Sequence, residues 1–243
     1  MTTPASWKAY GASVIGPAHS ATAKPNQDAW LSFHHSWCDG IVVSDGLGSK
    51  SLSDYGSNAA CRAVEHAVRL YAKSTIEGRR ARLLSDIRNQ WLASIAPLGA
   101  TNSSATCLFA FRLGDGLMRM GALGDGCAAA VRLNGSVAAL MDDKASGFSN
   151  VTKALSPNTQ ETDWTTLDVP ESECEAIVLC TDGVSDDLDN VDGFMAGFVR
   201  ACRGMAQVTA SRQAYVMLEN WPVPKHSDDK TIVCLRRTDS TDG

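Results

Sequence analysis

Three apolar, β-prone runs in this chain end in the same way. Gly40-Ile41-Val42-Val43-Ser44 runs into Asp45-Gly46, Met120-Gly121-Ala122-Leu123-Gly124 into Asp125-Gly126, and Ala176-Ile177-Val178-Leu179-Cys180-Thr181 into Asp182-Gly183. Asp-Gly is first of all a turn signal. The chain carries seven such pairs, and Asp39-Gly40, Asp115-Gly116, Asp192-Gly193 and Asp242-Gly243 read as plain turns. The other three place a carboxylate at the exit of a strand expected to be central. Such a strand end is rigid, and an unpaired carboxylate there is costly unless cations or hydrogen bonds compensate.

The surrounding pattern sets the fold class. Ala29–Phe33 and Gly40–Ser44 read as strands. From Asp54 to Lys73, apolar residues recur at Ala60, Ala63, Val64, Ala67, Val68 and Tyr71, one buried helical face. Leu84, Ile87, Trp91 and Ile95 mark a second helix, ended by Pro97 and Gly99. Ala105–Arg112, Leu117–Leu123 and Cys127–Leu133 read as a meander of antiparallel strands, separated by Gly-Asp-Gly turns, with a further hairpin turn at Asn134-Gly135. A polar stretch around Ser146–Gln160 precedes a strand at Ala176–Thr181. Helices over Val191–Arg203 and Ala206–Asn220 and a last strand over Thr231–Arg236 complete the chain. Blocks of this kind do not alternate strand with helix, which disfavours a doubly wound parallel sheet. They predict an α+β fold of four layers, α-β-β-α, with two antiparallel sheets packed face to face and flanked by helix pairs. No repeat or Pro/Gly-rich linker divides the sequence, so residues 1–243 read as one domain.

The net charge of −5 leans against nucleic acid or an anionic membrane as partner. No apolar run approaches ~20 residues and the start lacks the layout of a secretory signal, so a cytoplasmic protein is expected. The eight cysteines are scattered, with no CxxC pair, and read as small buried hydrophobes; a zinc site is not expected.

Two more acids fit the strand-end pattern. Asp28 lies in Pro25-Asn26-Gln27-Asp28, just before a strand, and Asp228 and Asp229 lie in Ser227-Asp228-Asp229-Lys230-Thr231, just before the last one. Converging carboxylates repel one another, and hard divalent cations neutralise them best. Spacing alone leaves two readings open, a carboxylate metal site or a set of acidic turns and N-caps.

The segments NQDAW, VVSDGLGS, NSSATCLFAF, GALGDGCAAAVRLNG, VLCTDGVSDDL and SDDKTIVCLRR, in this order, resemble the metal-dependent protein phosphatase family, type 2C. The likeness runs from about Ser13 to Arg237. It is strongest to the short bacterial branch, which Ser149-Asn150-Val151-Thr152 also resembles. The resemblance implies a β-sandwich flanked by helix pairs and a binuclear Mn²⁺ or Mg²⁺ centre at one end. By position, Asp45 would bridge the two metals and the Gly46 carbonyl would ligate one. Asp182 and Asp228 would complete the second metal's protein ligands, and Asp28 would act through metal-bound water. Asp125 and Asp186 match acids that, with Asp182, hold a weaker third ion. Asp229 stands where the family usually has Asn and is an alternative ligand to Asp228. Asp187 and Asp189 have no such match and read as solvated turn residues. Water between two cations has its pKa lowered toward neutrality and can attack phosphorus in line, so no covalent phosphoenzyme is needed.

The chain also departs from the family. No Arg precedes Asp28 to clamp the substrate phosphate; His19 and Lys24 are the candidates for that role. The family's frequent His after the second aspartate is missing, and Ser49-Lys50 lies in that region. His34-His35 is not expected to form a metal pair, because adjacent strand residues point to opposite faces. His226, near Asp228, reads as a loop histidine or a support for the site. Trp91, Phe109 and Phe111 fall at core spacing.

The expected function is hydrolysis of phosphoserine or phosphothreonine on a phosphoprotein, with a Ser/Thr kinase or its target as partner. The alternative is a pseudophosphatase, a metal-poor kinase-binding module. A phosphatase for small molecules such as nucleotides would use the same chemistry.

Overall fold

The computed structural model describes residues 6–74, 79–141 and 152–238. Ten strands and six α-helices occupy them, with two single-turn 3-10 helices at Ala100–Asn102 and Glu161–Asp163. In chain order these are β1 (Ser6–Val14), α1 (Pro17–Ala21), β2 (Asp28–His35), β3 (Cys38–Asp45), α2 (Ser53–Lys73), α3 (Arg79–Ile95), β4 (Cys107–Arg112), β5 (Leu117–Leu123) and β6 (Cys127–Arg132). Then come β7 (Val137–Leu140), β8 (Thr165–Pro170), β9 (Cys174–Cys180), α4 (Asp182–Ser185), α5 (Val191–Ala201), α6 (Gln207–Glu219) and β10 (Lys230–Thr238).

The strands form two five-stranded sheets, ordered β1-β10-β9-β6-β7 and β2-β3-β4-β5-β8, with every pairing antiparallel. Period-2 alternation sends opposite sides of each strand into different layers. In β3, Ile41 and Val43 face the other sheet, where they meet Ala128, Ile177, Leu179 and Val233, while Val42 faces α2 and α3. In β9, Ile177 and Leu179 face inward, while Val178 and Cys180 face α5 and α6. Both faces of each sheet are therefore buried, which explains why the central strands read as continuous apolar runs. The result is the α-β-β-α layering that the block order predicts.

Three strands carry too weak a signal to be read from the sequence. β1 and β8 are edge strands with polar or small residues, and β7 is an Ala-rich edge. The short α1 and α4 are also unread. The expected three-stranded meander is corrected: β4 and β5 form a hairpin in one sheet, whereas β6 belongs to the other. The two Gly-Asp-Gly segments differ in their surroundings. Gly114 and Gly116 have positive φ, and a Cβ would meet only the Arg112 side chain at the first and open space at the second, an ordinary hairpin turn. Gly124 has φ +112° and a Cβ there would lie 2.6 Å from Thr106; one on Gly126 would lie 2.5 Å from the Cys180 carbonyl. That second turn is threaded between the sheets and carries the chain across from one to the other.

Two Asp-Gly pairs read as plain turns prove otherwise. Asp39 is buried inside β3, where Arg112 donates to it at 2.8 Å and His34 is hydrogen-bonded to it. Asp192-Gly193 sits in the first turn of α5. Asp242-Gly243 and Ser149–Val151 lie outside the described residues. His35 pairs with Glu65, so the two adjacent histidines do diverge. All eight cysteines are free and buried, as expected. Among the described residues, no helix is long and apolar enough to cross a membrane.

Candidate metal centre

One end of the sandwich collects the acids. β2 starts there with Asp28 and β3 ends there with Asp45, and the two are Cα partners across the hairpin. The crossing from β5 to β6 places Asp125 at the same end, since Cys127 pairs with Cys180 at the exit of β9. Asp182 follows that exit as the first residue of α4. Asp228 precedes β10, whose Ile232 also pairs with Cys180. Segments from Asp28 to Asp228, far apart in the chain, thus reach one rim.

Asp45, Asp125 and Asp182 are half-buried, and each offers a carboxylate oxygen within 4.8 Å of the others. Asp28 is buried behind them. Its Oδ2 accepts hydrogen bonds from Thr181 Oγ1 at 2.9 Å and Thr231 Oγ1 at 2.7 Å, while Oδ1 is enclosed and has no partner among the described residues. Asp125 repeats the pattern, with Oδ2 accepting from Thr152 Oγ1 at 2.8 Å and Oδ1 enclosed and unpartnered among the described residues. Thr106 fixes Asp45 through its main chain, its hydroxyl accepting from Asp45 N at 2.8 Å and its own N–H donating to Asp45 O at 2.7 Å.

Charge crowding shows in the acidities. Burial pushes Asp28 up to about 7, with Asp229 adding to the shift and Thr231 and Thr181 opposing it. Burial also lifts Asp182 to about 7, helped by repulsion from Asp125, Asp228 and Asp186. Asp45 is held well above the usual carboxylate range by burial and by Asp28, Asp182 and Asp228. In the protein alone, the ionised forms of Asp28 and Asp45 oppose each other across the hairpin. A divalent cation relieves that opposition without a proton. The donor set is all oxygen and two buried oxygens lack any partner, so the residues present fit a hard cation such as Mg²⁺ or Mn²⁺.

The remaining expected residues fall in different places. Gly46 follows Asp45 where no side chain fits: a Cβ would lie 2.6 Å from the Ser53 carbonyl at the start of α2. Asp228 is exposed, with Oδ1 accepting from Asp229 N at 2.9 Å, and acts electrostatically on Asp45 and Asp182. Asp186 caps α4 at the surface and acts on Asp182. Asp229 points elsewhere. It is buried and receives Gly16 N and Gln27 N at 2.6 Å each and His19 Nδ1 at 2.9 Å, so its oxygens are committed to holding the loop before β2. His19 is therefore tied to Asp229, while Lys24 is exposed on that loop. His226 is half-buried, with Nδ1 enclosed and unpartnered among the described residues.

Asp187 corrects a further expectation. It is not a solvated turn residue: Trp221 Nε1 donates to it at 2.8 Å and Lys230 Nζ lies 3.9 Å away. Asp189 is exposed. The sequence alone does not single out the supporting hydroxyls of Thr106, Thr152, Thr181 and Thr231. Their only signal there is position, each within a few residues of a strand-end aspartate or, for Thr106 and Thr152, across the fold from one.

Comparison with known proteins follows the same line. A family model described as protein phosphatase 2C matches residues 15–219. No curated protein matches the sequence. Among solved structures, the serine/threonine phosphatase Stp1 from Staphylococcus aureus aligns with a TM-score of 0.68 at 15% identity, over 98% of this chain and 98% of that one. PppA, a regulatory component of T6SS in Pseudomonas aeruginosa, aligns with a TM-score of 0.67 at 16% identity, covering 96% and 98%. The photosystem II phosphatase PBCP aligns with a TM-score of 0.65 at 15% identity, covering 95% and 98%. At these identities the structures speak for the fold.

Proposed function

Because the chain belongs to the protein phosphatase 2C family, a family of metal-dependent protein phosphatases, we propose that it hydrolyses phosphoserine and phosphothreonine on protein substrates with two Mn²⁺ or Mg²⁺ ions. The reading rests on one observation above the others: carboxylate oxygens from Asp45, Asp125 and Asp182 lie within 4.8 Å of one another at the ends of separate strands. Asp28, Asp45, Asp182, Asp228 and the Gly46 carbonyl would hold the ion pair, with Asp125 and Asp186 serving a weaker third ion. When bound, such ions supply Lewis-acid charge that polarises a phosphoryl oxygen and acidifies water.

The chain's own residues prepare the site. Thr181 and Thr231 occupy one oxygen of Asp28 and leave the other free. Thr152 does the same for Asp125. Each carboxylate is thereby oriented before anything binds, and its reorganisation cost is met during folding. The acidic set is intact, which disfavours a metal-poor binding module. A phosphoprotein substrate, with a Ser/Thr kinase or a kinase's target as partner, follows from the family chemistry. The test is hydrolysis of p-nitrophenyl phosphate and of a phosphothreonine peptide with and without Mn²⁺. Protein that is inert toward both at millimolar Mn²⁺ refutes the reading.

A further inference from the structure

Lys230 is a charge where the fold asks for an apolar residue. Along β10, Ile232 and Cys234 sit in the core cluster under α5 and α6, and Lys230 precedes them on the same side of the strand. Its side chain is 2% exposed, and it ranks among the largest fully buried residues. A buried ammonium needs partners. Nζ donates to the Asp228 carbonyl at 3.2 Å, lies 3.9 Å from Asp187 Oδ2 and stands 5.9 Å from the centre of the Trp221 ring. The same Asp187 oxygen accepts Trp221 Nε1–H at 2.8 Å, so lysine, carboxylate and indole form one connected group.

That group lies behind the acidic rim. Asp187 follows Asp186 and the short α4, which begins at Asp182, while Asp228 stands two residues before Lys230. Thr231, the next residue, turns to the opposite face and donates to Asp28 Oδ2 at 2.7 Å. Burial lowers the lysine's pKa, and Asp187, Asp228, Asp28 and Asp182 oppose that fall. The ammonium therefore sits within the field of the rim carboxylates as well as that of Asp187.

We propose that Lys230 is a resident cation of the metal centre, whose fixed charge lowers the centre's affinity for divalent ions. This rests on the metal-dependent reading given above and concerns how much Mn²⁺ or Mg²⁺ is needed to fill the site. A positive charge behind the carboxylates repels the ion that they attract, and the interior screens that repulsion less than water does. Asp187 is the opposing charge, and at 3.9 Å from Nζ it cancels much of the lysine's field. Removing either member alone should shift affinity in its own direction.

A charge and a strut predict opposite results. Lys230→Met keeps most of the side chain's length and gives the core an apolar residue, and Asp187→Asn keeps an oxygen for Trp221 Nε1. In isothermal titration of Mn²⁺ into metal-stripped protein, Lys230→Met is expected to bind about threefold or more tighter than wild type, and Asp187→Asn about threefold or more weaker. The double variant loses one charge of each sign and is expected within about twofold of wild type, whereas a lost strut would leave it weak. Unchanged or weaker binding in Lys230→Met overturns the proposal, and so, by itself, does unchanged or tighter binding in Asp187→Asn. Wild-type protein that takes up no Mn²⁺ refutes the parent reading and the proposal with it, a result distinct from equal binding in all four proteins.

Discussion

Asp28 and Asp45 face each other as Cα partners across adjacent antiparallel strands, at the one position of the β2–β3 hairpin where two carboxylates meet. Like charges directly opposite in a sheet are destabilising. Burial and mutual repulsion accordingly hold both carboxyls above the usual range, which favours their protonated forms in the protein alone.

Stability of the metal-free protein should fall as pH rises. Asp28 and Asp182 are raised to about 7, and Asp45 is raised as well. A carboxyl raised on folding binds protons that the unfolded chain has lost, so its contribution is present below about pH 4 and is lost as pH climbs toward 7. For buried Asp28 this amounts to a few kcal/mol, on the order of one kcal/mol per pKa unit. Thermal melts of chelator-treated protein from pH 4 to 8 should show the decline, and Mn²⁺ should reverse it most strongly above pH 7. A flat profile with no Mn²⁺ effect would contradict the raised acidities of these carboxyls.

Metal binding should release protons near neutrality. Carboxyls that titrate near 7 must be deprotonated to act as ligands, so Mn²⁺ affinity should strengthen from pH 6 to 8. Titration calorimetry in two buffers of different ionisation enthalpy measures the release directly; identical apparent enthalpies in both would count against it.

Asp45→Asn and Asp182→Asn should trade activity for stability. Each removes a carboxyl whose ionisation the folded chain opposes and so should stabilise metal-free protein at alkaline pH by about 1 kcal/mol, while reducing Mn²⁺-dependent turnover at least a hundredfold. Melting temperature and kcat are read on the same samples.

Asp228 and Asp229 should separate cleanly. Asp229→Ala strands Gly16 N–H, Gln27 N–H and the His19 ring, and should cost about 3 kcal/mol or more of stability. Asp228→Ala removes an exposed side chain, so it should unfold within about 0.5 kcal/mol of wild type and weaken Mn²⁺ binding instead. Urea unfolding and Mn²⁺ titration give the two readouts, and the opposite pattern would exchange the two assignments.

Thr181→Val should act on both properties at once. The Thr181 hydroxyl accepts Thr231 N–H at 3.1 Å and donates to Asp28 Oδ2 at 2.9 Å. The isosteric change leaves both partners short, at a cost of about 1–3 kcal/mol. Freed from one of its donors, Asp28 should also bind Mn²⁺ about tenfold more weakly. Urea unfolding and Mn²⁺ titration on the same protein check the two effects together.

The strand-end aspartates were legible because they interrupt runs that are apolar on both faces, and only a central strand has that composition. The four long helices were legible from period, and α2 begins within a residue of its expected start. What the sequence hides is whatever depends on a neighbour in space. Gly114-Asp115-Gly116 and Gly124-Asp125-Gly126 look identical as strings, yet one turns a hairpin and the other changes sheets, because Thr106 and the Cys180 carbonyl crowd the second. Asp39 resembles a turn residue until Arg112 is seen across the sheet. Asp187 and Asp229 resemble loop acids until Trp221 and the Gly16 and Gln27 amides arrive from elsewhere.

The crossing at Gly124–Gly126 has one more consequence. Asp28 and Asp45 belong to one sheet, Asp182 and Asp228 border the other, and Asp125 sits on the chain that joins them. An ion gripped by all of these would rivet the sandwich at a single seam. Chelation should therefore loosen the two halves against each other, and amide exchange should quicken first along the open ends of β3, β6, β9 and β10, far from the strand ends that Arg112 ties down.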